Sequence, residues 1–166
     1  MQDDSRQVPA AGHFDSLTDY RAAIDRLVLA ARRQIRIFDR NLSDAGFNDA
    51  ARYDALRTFL LGGRDRRLEV VLHEVDFVQR YCPRLLSLQR QFSHAVSIHQ
   101  TLPEARGVYD GMLIADDAHY VHRFHFDHPR GEWVLNDLAR TQPLLRRLEE
   151  IWQASILAVS ATTLGL

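Results

Sequence analysis

Four of the chain's eight histidines, His119, His122, His125 and His128, recur at every third position. Imidazole can ligate a metal, move a proton near neutral pH or act as a nucleophile. The segment that carries them, HYVHRFHFDH, has the composition of a strand, and side chains on a strand alternate between faces. His119 and His125 then share one face with Val121, Arg123 and Asp127. His122 and His128 share the other with Tyr120, Phe124 and Phe126. The spacing divides the ladder into two pairs, unlike the two ligands that HExxH places on one helix face. No metal site and no cofactor are expected. The face with Arg123, His125 and Asp127 joins an imidazole, a guanidinium suited to phosphate and a carboxylate. The same face would serve equally as a salt-bridged strand surface or a dimer contact.

Two further candidates stand at strand ends, where open α/β sheets place ligands: Asp39, closing RQIRIFD, and His73, closing LEVVLH. Their structural alternatives are a loop cap and a strand-terminal hydrogen-bond partner. All 21 basic residues are arginine, so the chain has no lysine for a Schiff base, a general base or a Walker-type phosphate contact. Cys82 is the only cysteine, which excludes an internal disulfide and a thiolate cluster; beside Pro83 it reads as a buried structural thiol.

A net charge of −1 gives no overall field for nucleic acid or anionic membrane. The arginines of the helices interleave with acids and read as solvated faces. The sequence has no apolar run of membrane-spanning length and no signal-peptide order at its start, so a cytoplasmic protein is expected.

The elements that position these residues follow from periodicity. Residues 1–13 read as a flexible leader. Ser16-Leu17-Thr18-Asp19 opens an amphipathic helix over 16–33, and 34–38 alternates as a strand. A second helix carries Tyr53, Leu56, Phe59 and Leu60 and stops at Gly62-Gly63. Residues 68–73 form a continuous apolar run, as in a strand covered on both faces. A helix over 75–92 breaks at Pro83, and a third strand covers 95–99. Residues 111–115 and 119–126 form a hairpin around Asp116-Asp117, with a short strand at 132–135. Thr141 caps a last helix with Leu144, Leu148, Ile151 and Trp152 on its apolar face; 156–166 is a tail, loose or paired at the surface. The order β-α-β-α-β, then a hairpin and a closing helix, predicts an α/β domain over 14–155, a mixed sheet with helices on both faces.

This layout resembles one half of the phospholipase D-like superfamily. Members carry His-x-Lys-x-x-x-x-Asp on a strand leading into a hairpin, then Gly-Ser-x-Asn on the return strand. The run YDGMLIAD fits that spacing, with Tyr109 at the histidine, Gly111 at the lysine and Asp116 at the aspartate. On the return strand His125 stands at the serine and Asp127 at the asparagine. The blocks RIFDR, CPRLL, HRFHFDH and EEIW look especially like a proteobacterial domain of unassigned function in that superfamily.

The resemblance implies chemistry in which one histidine attacks phosphorus, a second protonates the leaving group and lysines stabilise the phosphoryl oxygens. Tyr109 is a poor nucleophile at neutral pH, because a phenol ionises at about 10. Gly111 carries no charge. The expectation is a degenerate phospholipase D-like domain that binds a phosphate-containing or other anionic ligand, or a protein partner, through Asp39, His73, Asp116, Arg123, His125 and Asp127. A phosphodiester hydrolase or transferase using His125, Asp127, Arg123 and Tyr109 is the first alternative, and a structural interaction module is the second. Because active members pair two motif-bearing halves, the resemblance also implies a homodimer through the site face.

Overall fold

A computed structural model of the chain describes residues 8–159. Its eight strands are β1 (Ala10–Phe14), β2 (Gln34–Asp39), β3 (Arg67–Leu72), β4 (Val96–Thr101), β5 (Gly111–Ala115), β6 (His119–His125), β7 (His128–Leu135) and β8 (Ser155–Val159). The helices are α1 (Leu17–Ala30), α2 (Ala50–Leu61), α3 (Asp76–Tyr81), α4 (Pro83–Gln91) and α5 (Leu138–Gln153). The strands form one mixed sheet in the order β1-β7-β6-β5-β2-β3-β4-β8. Only β2, β3 and β4 run parallel; β5 returns antiparallel beside β2, and the hairpins continue from it. This is the mixed α/β arrangement expected from the alternation of elements.

The apolar residues divide by strand parity into two cores. Ile35, Ile37, Leu68, Val70, Leu72, Leu113 and Val121 face Tyr20, Ile24 and Leu27 of α1, together with α2 and α4. Phe38, Val71, Met112, Ile114 and Tyr120 face Leu144, Leu145, Leu148 and Ile151 of α5. Ser16 caps α1 by accepting from the Asp19 amide at 3.1 Å. Pro83 opens α4, where its missing N–H costs nothing, and so turns one anticipated helix into α3 and α4.

Several boundaries differ from the sequence expectation; the short strand expected at 132–135 starts at His128, and the third strand, expected at 95–99, runs to Thr101. Part of the supposed leader is ordered: β1 pairs along β7, Ala10 opposite Leu135 and Phe14 opposite Gly131. Residues 1–7 lie outside the described region. Part of the supposed tail is β8, antiparallel to β4, with 160–166 outside the described region. The last helix starts before Thr141. Asp137 caps it by accepting from the Arg140 amide at 3.0 Å, and the buried Thr141 hydroxyl donates to the Asp137 carbonyl at 2.7 Å.

Candidate functional site

The carboxyl ends of β2, β3 and β4 open onto a cleft of about 300 Å³ lined by Arg40, His73, Glu74, Gln100, Arg106, Tyr109 and Phe126. Such strand ends are where an open α/β sheet leaves room for a ligand.

His73 lies at the base of this cleft, edge-on to Phe38 and Phe126. Its Nε2 is 2.7 Å from the Val108 carbonyl and its Nδ1 2.7 Å from the Thr101 hydroxyl. A carbonyl only accepts, so Nε2 carries a proton and donates to Val108, while Nδ1 is hydrogen-bonded to the Thr101 hydroxyl. Both ring nitrogens are committed within the protein. His73 is therefore a staple that holds the chain leading into Tyr109, and it offers no free lone pair to a ligand.

Tyr109 stands at the rim, 58% exposed, its ring near-parallel to that of His125 with centroids 6.0 Å apart. His125 Nδ1 accepts from the Asp127 amide at 3.1 Å. Asp127 itself pairs with Arg40 Nη2 at 3.0 Å, and the Arg40 guanidinium lies over the Phe126 ring. The hydrogen bond from Arg40 holds the Asp127 carboxyl below its ordinary range.

The expected triad of Arg123, His125 and Asp127 does not converge. A register shift between Arg123 and His125 breaks the alternation on which that grouping relied. Arg123 is buried on the α1 side, where it donates to the His128 carbonyl at 2.9 Å and to Asp44 at 3.0 Å. Its guanidinium also lies over the Tyr20 ring. It has no access to the cleft.

Asp39 and Asp116 likewise have their carboxylates engaged by backbone amides of the protein itself. Asp39 is buried and accepts from the Leu42 amide at 2.8 Å. Burial raises its carboxyl above the ordinary value, against the Leu42 hydrogen bond, which lowers it. Gly111 lies directly against it: a Cβ on Gly111 would stand 3.0 Å from Asp39 Oδ1. Asp116 is at the far end of β5, with a left-handed φ of 54°. It accepts from the amides of Arg32, Arg33 and Gln34 at 2.7, 2.8 and 3.0 Å, tying the α1–β2 link to the β5–β6 turn.

The remaining histidines scatter. His119 is buried, which lowers its basicity, and accepts from the Asn136 amide at 2.9 Å. His122 donates from Nε2 to Asp110 at 2.7 Å, and Arg147 of α5 holds the same carboxylate with two bonds of 2.6 and 2.7 Å. Burial would raise the Asp110 carboxyl, yet the bonds from His122 and Arg147 outweigh it and hold it far below the carboxylate range. Among the described residues no three His, Cys, Asp or Glu side chains gather as metal ligands would.

Sequence reasoning missed Arg40, Arg106 and the Asp110–His122–Arg147 cluster. Arg40 carried a usable signal, since it directly follows a strand-terminal aspartate. Arg147 lies 37 positions from Asp110 and carried none.

Residues 16–163 match the family described as Domain of unknown function (DUF7931). The chain belongs to this family. Among solved structures it is similar to Nuc from Salmonella typhimurium, a phospholipase D family member, with a TM-score of 0.63 and 14% identity over 92% of this chain and 100% of that one. It is also similar to NucT from Helicobacter pylori, with a TM-score of 0.59 and 11% identity over 91% and 100% of the two chains. A third similar structure is TrmBL2, an archaeal chromatin protein with a novel mode of DNA binding, at a TM-score of 0.68 and 10% identity. That match covers 90% of this chain and 55% of TrmBL2. At these identities the likeness establishes the fold, which is phospholipase D-like. No curated protein matches the sequence.

Proposed function

We propose that this DUF7931 chain is a phospholipase D-like domain without phospholipase D chemistry, which binds a phosphate-containing anion in the strand-end cleft. The contact between Gly111 and Asp39 carries the reading. Gly111 stands where the resemblance expects a lysine that stabilises phosphoryl oxygens. The space in front of it holds a buried carboxylate, 3.0 Å from where a Cβ would be. With no lysine in the chain, that charge has no substitute of its kind. Tyr109 has neither a base nor a cation bound to its hydroxyl among the described residues.

Binding is supported by Arg40 and Arg106, two guanidiniums on the cleft wall. Guanidinium is the side chain best matched to phosphate oxygens. Arg40 now holds Asp127, so an incoming phosphate replaces one anion by another instead of meeting an unpaired charge. The hydrolase alternative through Arg123, His125 and Asp127 is disfavoured by the burial of Arg123 on Asp44. An open cleft at the strand ends also favours a ligand over a purely structural module. The homodimer remains part of the proposal through the resemblance alone, and light scattering at micromolar concentration tests it. For the binding reading, calorimetric titration with inorganic phosphate is expected to give saturable binding that Arg40→Ala removes. No heat of binding to the wild-type chain would overturn it.

A further inference from the structure

A second cavity, of about 280 Å³, lies between α5 and the sheet and shares no lining residue with the strand-end cleft. Arg36 and Ile37 of β2 and Glu69 of β3 contribute from the sheet; Leu148, Glu149 and Trp152 contribute from α5. The Nε of Arg36 is buried and makes no hydrogen bond among the described residues. Its nearest carboxylate, Glu69, is 3.6 Å away, and Glu149 is 3.3 Å from Nη1. Native proteins seldom leave a buried donor unmet unless a water or ligand meets it. Trp152 is stacked on His99 with ring centroids 3.9 Å apart, which fixes the indole in place.

The charges select the ligand. Two carboxylates around one guanidinium repel a phosphate, so this cavity does not duplicate the strand-end cleft. An ammonium ion would be drawn by the negative charge that two carboxylates and one guanidinium leave, but it only donates hydrogen bonds and would leave the buried Arg36 Nε–H unmet. A hydroxyl group suits all three, because it accepts from Arg36 Nε and donates to Glu69 or Glu149. The apolar wall of Leu148 and Trp152 asks in addition for a C–H face. We infer that this cavity is a site for a neutral polyhydroxylated ligand, a single sugar ring.

The chain has two tryptophans, and Trp133 packs against the opposite core beneath Arg26. The Trp152 indole N–H is therefore a local reporter and Trp133 an internal control. Proton–nitrogen NMR of the whole chain is titrated separately with the methyl α-glycosides of glucose, galactose and mannose, with Trp133→Phe assigning the two indoles. The expected result is a saturable shift of the Trp152 signal with at least one glycoside, at a Kd on the order of 1 mM, while Trp133 stays in place. Glu149→Gln, a change at a half-exposed side chain, is expected to weaken that binding at least fivefold without lowering the melting temperature. No movement of Trp152 with any of the three glycosides would overturn the inference. An equal shift with ethylammonium or inorganic phosphate would do the same, as would unchanged affinity in Glu149→Gln.

Discussion

Gly111 and Asp39 are packed so closely that a Cβ on Gly111 would stand 3.0 Å from the Asp39 carboxylate oxygen, with Phe126 at 3.5 Å behind it. The absence of a side chain at 111 and the buried acid at 39 are thus one structural feature. Gly111→Ala is expected to destabilise the fold by about 1–3 kcal/mol, the usual range for an overpacked core, because Asp39 is fixed by the Leu42 amide and has little room to move. Urea denaturation checks this. Stability equal to wild type would mean that the contact is loose.

The buried Asp39 and the partly buried Asp110 at this end of the sheet are expected to respond oppositely to pH. Asp110 has a depressed folded pKa. Its stabilisation is fully present above the unfolded value of about 3.9 and is lost as pH falls through the lower folded value. Asp110→Asn is expected to cost about 1–3 kcal/mol at pH 7, with the difference from wild type shrinking below about pH 4. Asp39 has a raised folded pKa, so its contribution is present at low pH and is lost as pH rises through that value. Asp39→Asn keeps an acceptor for the Leu42 amide while removing the buried charge, and is expected to be at least as stable as wild type at pH 7. Melting curves across pH for both variants check the two signs.

Asp116 is expected to matter for stability and not for ligand binding. Three backbone amides converge on its carboxylate at the end of the sheet remote from the cleft. Asp116→Asn tolerates the left-handed backbone but offers one acceptor oxygen fewer, and is expected to cost about 1–2 kcal/mol. Phosphate affinity should stay within error of wild type. A large loss of affinity with unchanged stability would return Asp116 to the ligand site.

Asp127 occupies the position on Arg40 that an anion would take. Asp127→Asn is expected to strengthen phosphate binding severalfold in a calorimetric titration, because the competing carboxylate is gone. Weaker binding in this variant would instead make Asp127 part of the ligand's own contact set.

The framework was legible because each element carried its own local signal. The Ser16 cap, the apolar run 68–73, the break at Pro83 and the Asp116-Asp117 turn each found their place. What failed was long-range or depended on one irregularity. Ala10–Phe14 and Ser155–Val159 are edge strands whose pairing comes from β7 and β4, and short polar or tail-like segments carry no periodicity that reveals a partner. The grouping of Arg123 with His125 assumed a regular strand, and a register shift between them undid it. The Asp116 carboxylate is spent on three backbone amides and His73 on the Val108 carbonyl and the Thr101 hydroxyl, partners that no side-chain pattern in the sequence displays.

The central claim, a phosphate-containing anion held without phosphodiester cleavage, is tested most directly by phosphorus-31 NMR of bis-p-nitrophenyl phosphate mixed with the chain, with and without zinc or magnesium. Saturable broadening or shift of the diester signal is predicted, lost in Arg40→Ala, with no monoester signal growing above the protein-free control. A monoester signal that grows with protein concentration, or a diester signal that the protein leaves untouched, would contradict the account.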